Sequence, residues 1–476
     1  MKDRDTLVRR LGLLSVVPVT LLPLSNPDLF WHLSAARRMR ETLSIPTTDW
    51  LSSTRAGAPW ADFEWACQLV FGALHRAGGV HALWLFKAAM IGASAWLLLK
   101  TLELYEADAP TSSAALALWG AASLTRSDIR PELFSLIGFG LVFLALERRR
   151  LGLAVPGPAW CAALFCVWAN LHPGFVYGLV LLGLYGAWRH LAAAALGCLL
   201  QVQGPANLSV IWRHWRDAGN IGLRLSEWRA VRFDDPWHWP FWIALFSACG
   251  AALLSLRARR RPPLGPLAAV LFFGFAASRH SRMAAYAVTC SVPLIVAFLK
   301  DAGLEASPLR RRLASAALAA CGAFSLYCSL GYGFGRTAFN DHFLPRRAAE
   351  FLALQTPELP RRALYNPWGW GGYLGWRLHP DWLVFQDGRY LFHDLLKETG
   401  DALASPADWQ SFLDRRGIDV ALMEDLPLFE ESTGLPYHVA FMPRERWALV
   451  YRDDRALVFA RRASVPRPWL AARELR

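Results

Sequence analysis

The chain has 476 residues, 54% of them hydrophobic, and a formal net charge of +13. A mean hydropathy of +0.23 is too apolar for a soluble protein with solvated loops. The basic surplus sits at the ends of apolar runs, as in Arg148–Arg150 and Arg310–Arg312, which argues against a nucleic-acid partner. Of the eight cysteines none follows Cys328, so the C-terminal region has no disulfide framework and no CxxC metal pair.

The first apolar run, near 9–25, follows Lys2, Arg4, Arg9 and Arg10. No small-x-small cleavage site closes it, so it reads as an uncleaved span rather than a signal peptide. The stretch from Asn26 to Trp65 then carries two acid-containing aromatic clusters, Asp28-Leu29-Phe30-Trp31-His32 and Trp60-Ala61-Asp62-Phe63-Glu64-Trp65. Asn26 can cap a helix and Pro27 suits its first turn, which predicts a helix over 27–42 with Asp28 and His32 on one face. Asp62 can cap a second helix that stops at Gly78-Gly79. The plainer reading of both is a pair of interfacial helices with solvated acids.

Further apolar runs lie near 80–102, 112–125, 132–147, 158–171, 174–189, 191–203, 240–256, 264–278, 283–299 and 313–333. Eleven spans with a cytoplasmic N-terminus place most basic joints inside and the C-terminus outside. Every polar joint then falls on the outer side. These joints supply the candidate substrate-binding residues Arg126, Arg130, Glu132, Asn170, His172, Glu227, Arg279 and Arg282. Ionisable groups at membrane depth are costly unless they serve a cavity or pair with each other. The competing reading pairs Arg126 with Asp128 and Arg130 with Glu132, and lets the others snorkel. Arg279 and Arg282, three apart, are expected on one helical face. Asp234-Asp235-Pro236 reads as a turn more readily than as a metal site.

Past Tyr332 the charge becomes mixed and the patterns shorten. From 339 to 476 we expect one small α/β domain that folds by itself. It has helices over 346–355 and 405–416, strands over 362–365, 382–386 and 418–423, and a hairpin over 447–460. The glycine-rich Asn366–Leu374 lacks dinucleotide-fingerprint spacing, and Asp387-Gly388-Arg389 reads as a strand-ending turn.

No Ser/His/Asp order, HExxH helix or Walker loop stands out. What remains is a membrane face with one acid, Asp28, a partner, His32, and several arginines. Glycosyl transfer from a polyprenyl phosphosugar suits that set. The phosphate leaving group needs positive charge, and the acceptor hydroxyl needs a carboxylate to take its proton. One acid suffices for single displacement with inversion.

Asp28-Leu29-Phe30-Trp31-His32-Leu33, Ile45-Pro46-Thr47-Thr48-Asp49, Gly57-Ala58-Pro59-Trp60, Glu64-Trp65, Gly371-Gly372-Tyr373-Leu374 and Asp387-Gly388-Arg389 together resemble a family of bacterial integral membrane proteins. More widely the chain resembles the GT-C superfamily, which includes oligosaccharyltransferases, protein O-mannosyltransferases and lipid A aminoarabinose transferases. The resemblance implies an α-helical multi-pass membrane domain over 1–335, with its first outer loop at 26–79, and an extracytoplasmic α/β domain over 339–476. It also implies that Asp28 matches the superfamily's first-loop catalytic acid. Many members carry two adjacent acids there, whereas Pro27 and Leu29 flank Asp28, so a divalent metal is left open as a cofactor. The expected function is transfer of sugar from a polyprenyl-phosphate-linked donor at the outer face of a bacterial inner membrane, with membrane lipid as a partner. The alternatives are a non-catalytic lipid-binding or assembly component of envelope polysaccharide synthesis, and a transporter of a lipid-linked or anionic solute. Sugar, acceptor and oligomeric state are left open.

Overall fold

A computed structural model describes residues 12–124, 127–204, 209–214, 216, 229–302, 323, 338–355, 364–431 and 434–475. The chain forms two compact units. Met1–Leu24, Leu74–Ile211 and Ile221–Phe339 make the first; Ser25–Ala73, Trp212–Asn220 and Asn340–Arg476 make the second. By their contacts, 25–73 and 212–220 group with the C-terminal region.

In chain order the helices are α1 (Val17–Leu21), α2 (Leu29–Thr42), α3 (Trp65–Leu104), α4 (Ala109–Ser123), α5 (Glu132–Arg150), α6 (Pro158–Leu171), α7 (Phe175–Leu184), α8 (Trp188–Leu199), α9 (Trp239–Arg257), α10 (Leu264–Arg279) and α11 (Ala284–Asp301). α12 (Arg346–Gln355), α13 (Gly371–Leu378), α14 (His393–Ala402), α15 (Pro406–Arg415), α16 (Tyr437–Phe441) and α17 (Arg467–Arg473) follow. Among the described residues three stretches are long and apolar enough to cross a membrane: Trp65–Leu104, Pro236–Arg257 and Ser281–Asp301. Pro158–Leu171, Phe175–Leu184 and Leu264–Arg279 are apolar but shorter. Among the described residues of the first expected run, the 3-10 turn Gly12–Val16 and α1 are helical; the run at 313–333, residue 323 apart, lies outside the described residues.

Lys87 and Glu147 are among the charged side chains buried in the first unit, and each is held. Lys87 and the Trp84 indole both donate to the carbonyl of Leu22, which closes α1, so a terminal carbonyl that the helix leaves unpaired is satisfied twice. Glu147 accepts from Tyr105, from Tyr185 at 2.6 Å and from the Arg150 guanidinium at 3.0 Å. Arg150 in turn donates to the Tyr105 hydroxyl at 2.6 Å. A buried carboxylate with this many donors is stable where an unpaired one would not be.

α3 is broken at Gly78 and Gly79, where Gly79 adopts φ +60°, as the Gly-Gly pair anticipates. The second unit is built on a four-stranded sheet with strands β1 (Leu364–Tyr365), β2 (Val420–Glu424), β3 (Trp447–Arg452) and β4 (Ala456–Arg461), in the order β1-β2-β4-β3. β1 runs parallel to β2, and the other pairs are antiparallel. α15 starts where the Ser405 side chain accepts from the Asp408 N–H at 3.1 Å, with Pro406 in its first turn. Its buried Trp409 meets Tyr365 of β1 edge-on at 4.8 Å.

The expected strand over 382–386 does not join this sheet. Its backbone pairs with the first loop: Val384 donates to the Leu51 carbonyl at 3.2 Å, and Ser53 donates to the Val384 carbonyl at 2.9 Å. Asn366 brackets the same segment, accepting from the Phe385 N–H at 2.8 Å and donating to the Gln386 carbonyl at 2.9 Å. Residues that look like a sheet strand have found their partners 331 positions earlier in the chain.

Candidate functional site

In the second unit, the Asn26 side chain accepts from the Asp28 N–H at 3.2 Å and so launches α2. Leu43, at φ +52°, ends it. The helix buries Leu29, Phe30, Trp31, His32, Leu33, Ala36 and Met39, while Arg37, Arg38 and Arg40 are exposed. The His32 N–H donates to the Asp28 carbonyl at 3.3 Å, so both candidate catalytic residues lie on the first turn. The His32 ring is buried, tilted at 34° beside Trp31 with centroids 3.6 Å apart and meeting Phe71 edge-on at 6.0 Å.

The two glycine motifs of the C-terminal region pack against this turn. A Cβ at Gly372 would stand 3.1 Å from the Pro27 carbonyl and 3.3 Å from the Trp31 nitrogen. A Cβ at Gly388 would collide with the Asp28 carboxylate. A methyl at Gly388 would have to displace that carboxylate. The Phe30 ring meets Tyr373 of α13 edge-on at 5.0 Å.

Arg389, next to that glycine, is buried and lies between two buried carboxylates, Asp49 at 2.7 Å and Asp387 at 2.7 Å. Asp387 also accepts from the Arg389 backbone N–H at 3.0 Å, which closes the turn. Asp49 accepts from the N–H groups of Leu51 and Ser52, each at 3.2 Å, and from the Ser52 hydroxyl at 2.5 Å. Rings of Trp60, Phe392 and Trp50 stand 4.9, 5.4 and 5.8 Å from the guanidinium carbon. Burial opposes the charge on Arg389, but Asp387 and then Asp49 outweigh it and push its pKa up.

Asp62, which the sequence marks as a helix cap, is a buried acid of this unit. It is 1% exposed, and burial pushes its carboxyl up to about 7 despite the Gln68 amide that donates to Oδ1 at 2.6 Å. Its Oδ2 has no hydrogen-bond partner among the described residues. The sequence signal that could have marked it is its place between Trp60 and Phe63, which argues for burial over solvation.

The other candidates belong to the first unit, except Arg126 and Glu227, which lie outside the described residues. His172, at the end of α6, accepts at Nδ1 from the Gly174 N–H at 3.0 Å and lies 2.6 Å from the Ser135 hydroxyl. That hydroxyl accepts from the Trp168 indole at 2.8 Å, which leaves its own proton for His172. With Nδ1 accepting, the ring proton sits on Nε2. Ser135 and the buried Glu132 are one turn apart on α5, and the Tyr286 hydroxyl approaches Glu132 Oε1 at 3.5 Å. Glu132 and His172 are thus each tied to Ser135, the first by the α5 turn and the second by a hydrogen bond. Asn170 serves backbone instead, donating to the Cys166 carbonyl at 2.8 Å and accepting from the Val202 N–H at 3.1 Å. Arg130 is half-buried in the turn before α5. Arg279 and Arg282 do not share a helical face: α10 ends at Arg279, His280 is extended, and Arg282 lies in the 3-10 turn Ser281–Met283. Among the described residues no group of three or more His, Cys, Asp or Glu side chains could hold a metal ion. Asp234 pairs with Arg232, and Asp235 accepts from the Trp237 N–H at 3.0 Å, as a turn requires.

No family model and no curated relative match the chain. Solved structures do. The oligosaccharyltransferase of Archaeoglobus fulgidus, tethered to an acceptor peptide containing an NVT sequon, aligns with a TM-score of 0.57 at 10% identity, over 98% of this chain and 75% of that one. The same organism's AglB, in complex with an inhibitory peptide and a dolichol-phosphate, aligns at 0.52 and 11% identity, over 89% of this chain and 69% of that one. ArnT from Cupriavidus metallidurans bound to undecaprenyl phosphate covers 97% of this chain and 98% of its own at 16% identity, but its score of 0.47 carries no weight. The chain has a GT-C-like fold.

Proposed function

We propose that this GT-C-like protein is a membrane glycosyltransferase, moving a sugar from a polyprenyl-phosphate-linked donor to an acceptor at the outer face of a bacterial inner membrane. The proposal includes eleven crossings with the N-terminus in the cytoplasm. The observation that carries it is Asp28, which heads α2 in the first loop with its carboxylate against the backbone of Gly388. The archaeal AglB that shares the fold was solved with a dolichol-phosphate, which supports a lipid phosphate as the carrier here.

In this reading Asp28 takes the proton of the acceptor hydroxyl as that oxygen bonds to the anomeric carbon. The bond from that carbon to the phosphate oxygen breaks, and the electron pair leaves with the polyprenyl phosphate. The leaving group is already an anion, so it calls for cations and not for an acid; Arg130, Arg279 and Arg282 are the candidates. His32, on the same turn as Asp28, would share the acceptor side. A single carboxylate is consistent with inversion at the anomeric carbon.

The test is Asp28→Asn in the purified protein. It keeps the shape and removes proton acceptance, so turnover falls by about 10²–10⁴ while donor-lipid binding is unchanged. A fully active Asn variant would exclude the base role and leave a non-catalytic lipid-binding or assembly component, or a transporter.

A further inference from the structure

Four polar side chains connect the first loop to the turn beneath Asp28, and none of them is within reach of bulk water. The connection starts at Asp49, whose carboxylate is fixed by the Leu51 and Ser52 N–H groups and the Ser52 hydroxyl. It passes to Arg389 at 2.7 Å and on to Asp387, which Arg389 grips through Nε at 2.9 and 3.0 Å and through Nη2 at 2.7 Å. Asp387 closes the turn by accepting from the Arg389 N–H at 3.0 Å. Gly388, the residue between them, is the backbone on which the Asp28 carboxylate rests.

We propose that Arg389 is a positioning residue for Asp28: it ties Asp49 of the first loop to the Asp387–Gly388 turn and so fixes the glycine surface against which the Asp28 carboxylate is held. The inference rests on Asp28 being the base. Lysine cannot reproduce this grip: Nη2 of Arg389 reaches Asp49 and Asp387 while Nε holds both oxygens of Asp387 in the same plane, and an ammonium has no second, fixed donor to do so. The aromatic walls of Trp60, Phe392 and Trp50 keep the guanidinium from exchanging its partners for water. A misplacement of about 1 Å at a reacting group costs about a hundredfold in rate, so a shift in this turn is enough to be read in turnover.

The experiment uses the full-length protein in nanodiscs and three variants, Gly388→Ala, Arg389→Lys and Asp49→Asn, each checked for folding by size exclusion and thermal melt. In every variant that folds, kcat drops about 10–100-fold, while acceptor KM and affinity for polyprenyl phosphate stay within about twofold. A second measurement needs no turnover: carbodiimide modification of Asp28, followed by mass spectrometry across pH, changes in rate and midpoint in the same variants. A purely structural role predicts lower melting temperatures with full kcat per folded molecule and unchanged Asp28 modification, and that result would overturn the proposal. Should Arg389→Lys fail to fold, Asp49→Asn decides, since it weakens the tie that Arg389 makes and leaves Gly388 and Asp28 unaltered. A wild-type protein with no transferase activity, but with Asp28 modification altered in the variants, would sink the transferase reading and leave the positioning role standing.

Discussion

Asp62 gives a prediction whose size follows from burial. Its carboxyl rises from an ordinary 3.8 to about 7, chiefly by desolvation. A raised carboxyl binds its proton more tightly in the folded state, so its effect on stability is absent below about pH 4 and grows unfavourable as pH climbs towards 7. At about 1.4 kcal/mol per pH unit, the ionised form above pH 7 costs the fold about 4 kcal/mol. The surrounding groups are few: Gln68 donates to Oδ1, Arg389 opposes the rise, and Tyr390 and Cys67 sense its charge. Asp62→Asn keeps the Gln68 bond and removes the ionisation. For a unit of this size each kcal/mol moves Tm by about 2–4 °C, so the Asn variant should gain about 5–10 °C over wild type between pH 5 and pH 8. The assay is thermal unfolding of both proteins in detergent at several pH values. A Tm difference that stays constant across that range would refute the reasoning, because it would show Asp62 to be ionised, or solvated, throughout.

Two other expectations can be measured on the same preparations. If Arg279 or Arg282 grips the donor phosphate, Arg279→Lys or Arg282→Lys weakens polyprenyl-phosphate binding by about tenfold or more, since each lost charge-assisted bond is worth roughly 1.5–3 kcal/mol; free exchange for lysine would remove that residue from the site. Residues 340–476 expressed alone should melt broadly, and a chain that links 25–73 to them should melt cooperatively, because 25–73 supplies Asp49, Leu51 and the Trp60 wall; a sharp melt of 340–476 alone would overturn this.

Local chemistry was readable in the sequence. Asn26 and Pro27 started α2 near the expected place, Gly78-Gly79 broke α3, and the alternation around Arg452–Arg455 gave the β3–β4 hairpin. Each is decided by side chains within a few positions. What could not be read depends on partners far along the chain. Residues 382–386 look like a sheet strand, yet their backbone partners are Leu51 and Ser53. Asp387-Gly388-Arg389 is indeed a turn, but nothing nearby in sequence says that Asp49 completes it. Asp62 passes for a cap because capping is local and burial is not. Arg279 and Arg282 failed as a helical pair because His280 is extended, and nothing in the sequence marks that break.

The second unit is assembled from both ends of the chain, and this has a consequence during synthesis. Thr54 and its carbonyl partner on Phe385 are 331 residues apart, with most of the apolar helices made in between. At about 5–20 residues per second, roughly 15–65 s pass between the emergence of the first loop and that of its partner strand. Throughout that interval Asp28 has no Gly388 beneath it and Asp49 no guanidinium beside it. A nascent or truncated chain therefore carries Asp28 in an unfinished setting until residues 387–389 have been made.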